Sequence, residues 1–188
     1  MKKMILLASL ILSFSALAQE TADSGEMALM MKHMTPAAQH ATMAELVGKW
    51  KTESSLWMAP DTPPSVSEGQ CEYSMAIGGR YQRSVYSGTL MGMPFEGEGM
   101  MGYDNTKKKF QSTWIDNFGT SVSYMAGDYD EASKTYTVKG TMTDAVSAGD
   151  MQVRMVTRIE SNDRFVMEMY MLMGEQEFKT LEIVHTRM

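Results

Sequence analysis

From Gly48 to the C-terminus the chain alternates apolar and polar residues, and turn sequences break the alternation about every 8–12 residues. The breaks are A-P-D-T-P-P, I-G-G, M-G-M-P, D-N-T-K-K-K, N-F-G, D-E-A-S-K, S-A-G-D, S-N-D and M-G-E. They delimit ten segments, near residues 49–57, 68–76, 80–90, 95–103, 109–116, 121–129, 135–143, 150–159, 164–173 and 176–187. Connections this short join antiparallel neighbours, because a parallel pair needs a crossover of a dozen or more residues. An open meander of ten strands would leave two long unpaired edges, and closure removes both. The spacing therefore predicts an all-β chain, a closed antiparallel up-and-down β-barrel of about ten strands, wide enough for side chains or one small ligand.

Ahead of the first strand stands T-P-A-A-Q-H-A-T-M-A-E-L-V-G. Thr35 is placed as N-cap, Pro36 as the first helical residue and Gly48 as the stop, which predicts one short N-terminal helix from Pro36 to Val47 plugging a barrel end. Residues 36–188 thus form the barrel domain. Residues 19–35, polar and then methionine-rich, read as a flexible segment with a short helical turn.

Residues 1–18 have two lysines, an apolar run to Phe14, and small residues at Ala16 and Ala18, the pattern of a signal peptide cleaved after Ala18. The expected protein is exported, periplasmic or secreted, and soluble, since no later stretch approaches the ~20 apolar residues of a membrane span. Gln19 stands where a bacterial lipoprotein would need cysteine. Cys71 is the only cysteine, so no internal disulfide forms, and a small buried hydrophobe is its expected role. Cleavage would leave 15 basic against 23 acidic residues, a net charge of −8, which argues against nucleic acid as a partner.

No nucleophile elbow, zinc motif or phosphate loop is present, and the reading is a non-enzymatic chain without cofactor or metal. Asp116 with Glu98 or Asp104 is the carboxylate pair an enzyme would use. Y-D-N-T-K-K-K-F at Tyr103–Phe110 and Y-D-E-A-S-K-T-Y at Tyr129–Tyr136 repeat with an offset of 26 residues. Hairpin chemistry explains them: Asp for the turn, an aromatic on each side.

H-A-T-M-A-E-L-V-G-K-W (His40–Trp50), G-G-R-Y from Gly78, M-G-M-P-F-E-G-E-G-M-M-G-Y-D (Met91–Asp104) and T-W-I-D from Thr113 together resemble the exported bacterial family catalogued as domain of unknown function 1579. The resemblance spans about His40 to Arg187 and implies a calycin-like or lipocalin-like barrel, with no known reaction or substrate. Calycins are similar in having a G-x-W at the first strand, matched by Gly48, Lys49 and Trp50, and a basic residue of the last strand packed across that indole. Arg187 is placed for that clasp. His40, which the family motif repeats, is either a ligand or proton donor at the plugged end or a capping histidine bonding a strand carbonyl.

Methionine is heavily used, at 22 residues. Phe165, Met167, Met169, Met171 and Met173 share one strand face, and Met151, Val153, Met155 and Thr157 share a face of the strand before it. Charges opposite them assign these faces to the interior. Methionine re-packs around varied apolar shapes, so this wall either lines a cavity for a small apolar molecule or fills a core. The pocket candidates are Met151, Val153, Met155, Phe165, Met167, Met169, Met171, His40 and His185. Haem-binding barrels distantly similar in fold use a histidine near the C-terminus as axial ligand, which makes haem an alternative at His185; a rim histidine is the simpler reading. Cu(I) on M-M-K-H-M at Met30–Met34 is the second alternative, because thioethers suit soft metals.

Overall fold

The structure is a computed structural model and describes residues 24–144 and 147–188. The signal-peptide segment and the cleavage point after Ala18 lie outside the described residues. Residues up to Pro36 and residues from Ala37 onward form two separate units.

In the first unit, residues 24–34 form a helix, α1, longer than the short helical turn expected within residues 19–35. The Thr35 hydroxyl donates to the Met31 carbonyl at 2.7 Å, so Thr35 finishes this helix instead of capping the next. Among the described residues no helix is long and apolar enough to cross a membrane.

The second unit begins with helix α2, Ala38–Ala44, shorter than the predicted Pro36–Val47. Ala37 is its N-cap, in extended backbone. Alanine has no capping oxygen, and His40 supplies the missing acceptor: its Nδ1 takes the Ala37 N–H at 2.9 Å. His40 is thus a capping histidine, but for its own helix and not for a strand carbonyl.

The strands follow as β1 (Gly48–Leu56), β2 (Ser65–Ala76), β3 (Tyr81–Leu90), β4 (Met93–Asp104), β5 (Lys109–Asp116), β6 (Ser123–Asp130), β7 (Thr135–Thr143), β8 (Asp150–Ser161), β9 (Arg164–Met173) and β10 (Gln176–Arg187). Each pairs antiparallel with its sequence neighbour, and β1 pairs with β10 to close the ring. The fold is the closed up-and-down barrel that the turn spacing predicts. Met91 and Gly92, both at positive φ, make the two-residue hairpin between β3 and β4. In the repeated turns, Asp104 Oδ1 accepts the N–H groups of Thr106 and Lys107, Asp130 Oδ1 accepts that of Ala132, and Lys108 and Lys134 take matching positive φ values of 54° and 49°. The 26-residue echo is turn geometry used twice.

Two glycines of β6 and β7 let the neighbouring backbones come close. A Cβ on Gly127 would sit 1.9 Å from the Thr137 carbonyl oxygen, and one on Gly140 would sit 2.0 Å from that of Tyr124. Neither oxygen belongs to a movable side chain. Gly127→Ala or Gly140→Ala should each cost about 1–3 kcal/mol by forcing β6 and β7 apart, read as a lowered urea midpoint. An unchanged midpoint in both would show that the wall yields there freely.

One barrel end is filled. Phe110, Tyr136, Ile159, Phe165 and Trp50 form a core with Met43 and Leu46 of the α2 segment, and Tyr103 and Tyr129 pack against it. Cross-strand aromatic pairs build this layer, Tyr103 with Phe110 at 4.9 Å and Tyr129 with Tyr136 at 4.4 Å between centroids. The last carbonyls of a helix lack internal donors, and here the barrel supplies them. Gln82 donates to Met43, Trp50 Nε1 to Leu46 at 2.9 Å, and Arg187 to Glu45 at 3.2 Å and Val47 at 2.9 Å. The plug is therefore hydrogen-bonded into the ring as well as packed against it.

Candidate functional site

Below the aromatic layer the barrel is hollow, with a cavity of about 310 Å³. Tyr136, Phe165 and Leu46 form its ceiling, and Leu90, Phe95 and Phe118 stand toward the opposite end. The contrast between filled and hollow resolves by height: packed under α2, open further down.

The walls differ chemically. Met125, Met142, Met155, Met167 and Met169 line one side, from β6 to β9. Across the ring, β1 to β3 present Ser54, Tyr73, Gln82, Ser84 and Tyr86. Register explains the first wall: Met155 pairs with Met169 and Thr157 with Met167, while on the other side Met169 meets Leu181 and Met167 meets Ile183. A bulge between Lys179 and Leu181 lets Phe178 pair with Met171 without breaking this inward set.

At the mouth, the Trp114 indole lies over two glycines. A Cβ on Gly97 would fall 2.2 Å from its ring, and one on Gly99 would fall 3.1 Å away. Trp114 Nε1 donates to Asp116 Oδ2 at 2.8 Å, and Asp116 Oδ1 accepts from the Phe118 and Gly119 N–H groups at 2.9 and 3.1 Å. The W-I-D sequence thus orients an indole and folds the next turn. Phe118 packs edge-on against Phe95, and Phe95 against Tyr86.

The three candidate carboxylates are held apart. Glu98 faces outward in a two-point pair with Arg83, at 2.7 and 3.1 Å. Asp104 serves its turn, and Asp116 serves Trp114.

Of the residues singled out by sequence, Met155, Phe165, Met167 and Met169 line the cavity. Val153 is buried in a cluster with Met125 and Val138, which Met151 packs against. Met171 pairs with Val153 and lies outside the lining, as does His40, whose ring meets Tyr103 edge-on at 5.9 Å. His185 also lies outside it, inside the filled end. Its imidazole stacks on Phe165 at 4.0 Å and 13°, with Nε2 3.5 Å from the Tyr73 hydroxyl and Nδ1 without a hydrogen bond. Burial pushes the imidazole down to about 3. Reaching a haem iron from there would require that stack to open.

Arg187 pairs with Trp50 across the β1–β10 seam, and its guanidinium carbon lies 4.1 Å from the indole centroid. Nε also donates to the Asn162 carbonyl at 2.6 Å. Cys71 is buried, and burial pushes its thiol up to about 11, which makes it a poor nucleophile.

The hydroxyl wall is what sequence reading passes over. Its signal was present: in K-W-K-T-E-S-S-L, the charges of Lys49, Lys51 and Glu53 leave Trp50, Thr52 and Ser54 on the other face.

No curated protein matches this chain. Among solved structures it is similar to the crystal structure of Rv2717c from M. tuberculosis, at 14% identity and TM-score 0.61, over 82% of this chain and 99% of that one. A redesigned β-barrel matches at 14% identity and TM-score 0.40, over 78% of this chain and 95% of that chain. At such identities the likeness speaks to fold alone. The family profile described as protein of unknown function (DUF1579) matches residues 35–187, and the chain belongs to that family.

Proposed function

We propose that this barrel is an exported, non-enzymatic binding protein for a small, largely apolar molecule. The observation that supports the reading is the cavity of about 310 Å³ with a methionine wall, within the ~300–1,000 Å³ range of small-molecule sites. Thioether side chains adjust to irregular apolar shapes, so this wall suits a ligand better than a rigid aliphatic one would. The plug α2 stays tied into the barrel, which leaves the end near Leu90, Phe95 and Phe118 as the entrance. Native mass spectrometry of protein purified from its own host should show a reproducible mass increment from a bound small molecule. Consistently bare protein would count against the reading.

A second reading is Cu(I) binding on α1. There Met27, Met30, Met31 and Met34 recur at the spacing of one helix face and are each about half exposed. Soft thioethers prefer Cu(I), and side chains three and four residues apart on a helix can converge on one ion. Titration against a competing Cu(I) chelator should show one retained ion, lost when Met27, Met30 and Met34 are changed together to leucine; no retained ion sinks this reading.

A further inference from the structure

The proposed ligand pocket carries information about charge. Among the described residues no Lys, Arg or His side chain lines it, and the one acid of the lining, Asp116, already accepts three hydrogen bonds. Basic residues of the barrel wall form ion pairs on its outer face: Arg83–Glu98, Lys109–Asp128, Arg154–Glu177 and Lys179–Glu182. An anion in the cavity would lose its water and find no cation, a cost of many kcal/mol. A fatty-acid carboxylate is therefore a poor occupant.

The same wall nevertheless offers hydrogen bonds. Ser54 Oγ and Tyr86 OH, both lining the cavity, stand 3.4 Å apart, a long contact. The Tyr86 phenol reaches across Gly69, where a Cβ would lie 2.6 Å from its oxygen. Beside this pair are two buried hydroxyls without any hydrogen bond: Thr52 Oγ1, on the same face of β1 and wholly buried, and Ser67 Oγ, on the residue cross-strand from Ser54. Thr52 and Ser67 lie outside the cavity's lining, so the hydroxyls open to a ligand are Ser54 and Tyr86, which share one long contact and keep a donor and acceptor lone pairs for a further oxygen.

We propose, resting on the ligand-binding reading above, that the cavity takes an uncharged molecule with an apolar body and one hydroxyl or carbonyl oxygen. The oxygen sits at Ser54 and Tyr86, and the body lies against the methionines of β6 to β9.

Calorimetric titration at pH 7.5 with 1-octanol, 2-octanone, octanoate and toluene tests this. The alcohol and ketone should bind at least 100-fold more tightly than octanoate. In the double variant Ser54→Ala/Tyr86→Phe, octanol affinity should fall about tenfold while toluene affinity is unchanged, which also shows the cavity intact. If octanoate binds as well as octanol, or if the variant leaves octanol affinity unchanged or weakens both probes alike, the inference is overturned and the apolar-ligand reading survives. If none of the four probes binds, toluene included, the ligand-binding reading itself falls.

Discussion

Trp50→Ala should lower the unfolding free energy by about 3–5 kcal/mol. The indole is wholly buried, packs edge-on against Phe165 at 4.7 Å, and donates to the Leu46 carbonyl. Alanine would open a void beneath the plug and leave that carbonyl without a donor. It would also remove the surface on which Arg187 stacks. Arg187→Ala should cost about 1–3 kcal/mol through its lost carbonyl bonds. The two losses should fall short of additive by about 1 kcal/mol, because they share one contact. Urea denaturation of both single variants and the double variant measures all three quantities. Two unchanged midpoints would mean that the stacked pair holds nothing together.

His185 should make the protein acid-sensitive, and His185→Phe should remove that sensitivity. The unfolded chain's imidazole titrates near 6.5, while the buried one is pushed down to about 3. Between those values the unfolded state holds more protons, so stability falls as pH drops from about 7 toward 3 and is unaffected by this group above 7. At about 1.4 kcal/mol per pH unit, the loss is about 2 kcal/mol by pH 5, with a ceiling on the order of 5 kcal/mol. The groups around the ring do not compete in this range: Phe165 and Thr52 are uncharged, and burial holds the Tyr73 phenol well above its usual value. Phenylalanine keeps a ring against Phe165 and has no Nδ1 to leave unsatisfied. The variant's midpoint should therefore change far less than the wild type's between pH 7 and 5. Parallel slopes would show that His185 is not the titrating group.

Much of this barrel was legible in the residues, for reasons that differ along the chain. β5, β7, β9 and β10 start and stop where alternation and turn residues place them, because Asp–x–x–x–Lys and Gly-containing turns leave little freedom of register. The inward methionines followed from parity, since a one-residue slip would bury Glu168, Arg154 and Arg158. The bulge in β10 left only a slight trace: Lys179 and Thr180 are consecutive polar residues that break the alternation, and pairing with β9 is what shows Thr180 as extra. The start of α2 was misplaced because Thr35 and Pro36 match a standard helix opening. The deciding contact, His40 Nδ1 to the Ala37 amide, depends on a ring folding back by three residues. The hydroxyl wall escaped for a third reason. Serine and threonine suit either face of a strand, and the contact of Tyr86 with Ser54, 32 residues away, exists only once the barrel has curled.

The order of strands also sets how the molecule comes apart. Nine of its ten pairings join strands adjacent in sequence, and only β1 with β10 links the two ends of the domain. Hairpins can assemble locally, whereas the last seam must close a loop spanning nearly the whole domain, at an entropic cost on the order of 4 kcal/mol. Trp50 and Arg187 lie on that seam, as does the contact of His185 with Thr52. Interactions made after the folding barrier act on escape from the native state, so weakening the seam should accelerate unfolding while refolding stays nearly as fast. The clasp then works as a latch in time: it governs how long a closed barrel stays closed, and with it how long any enclosed molecule is retained.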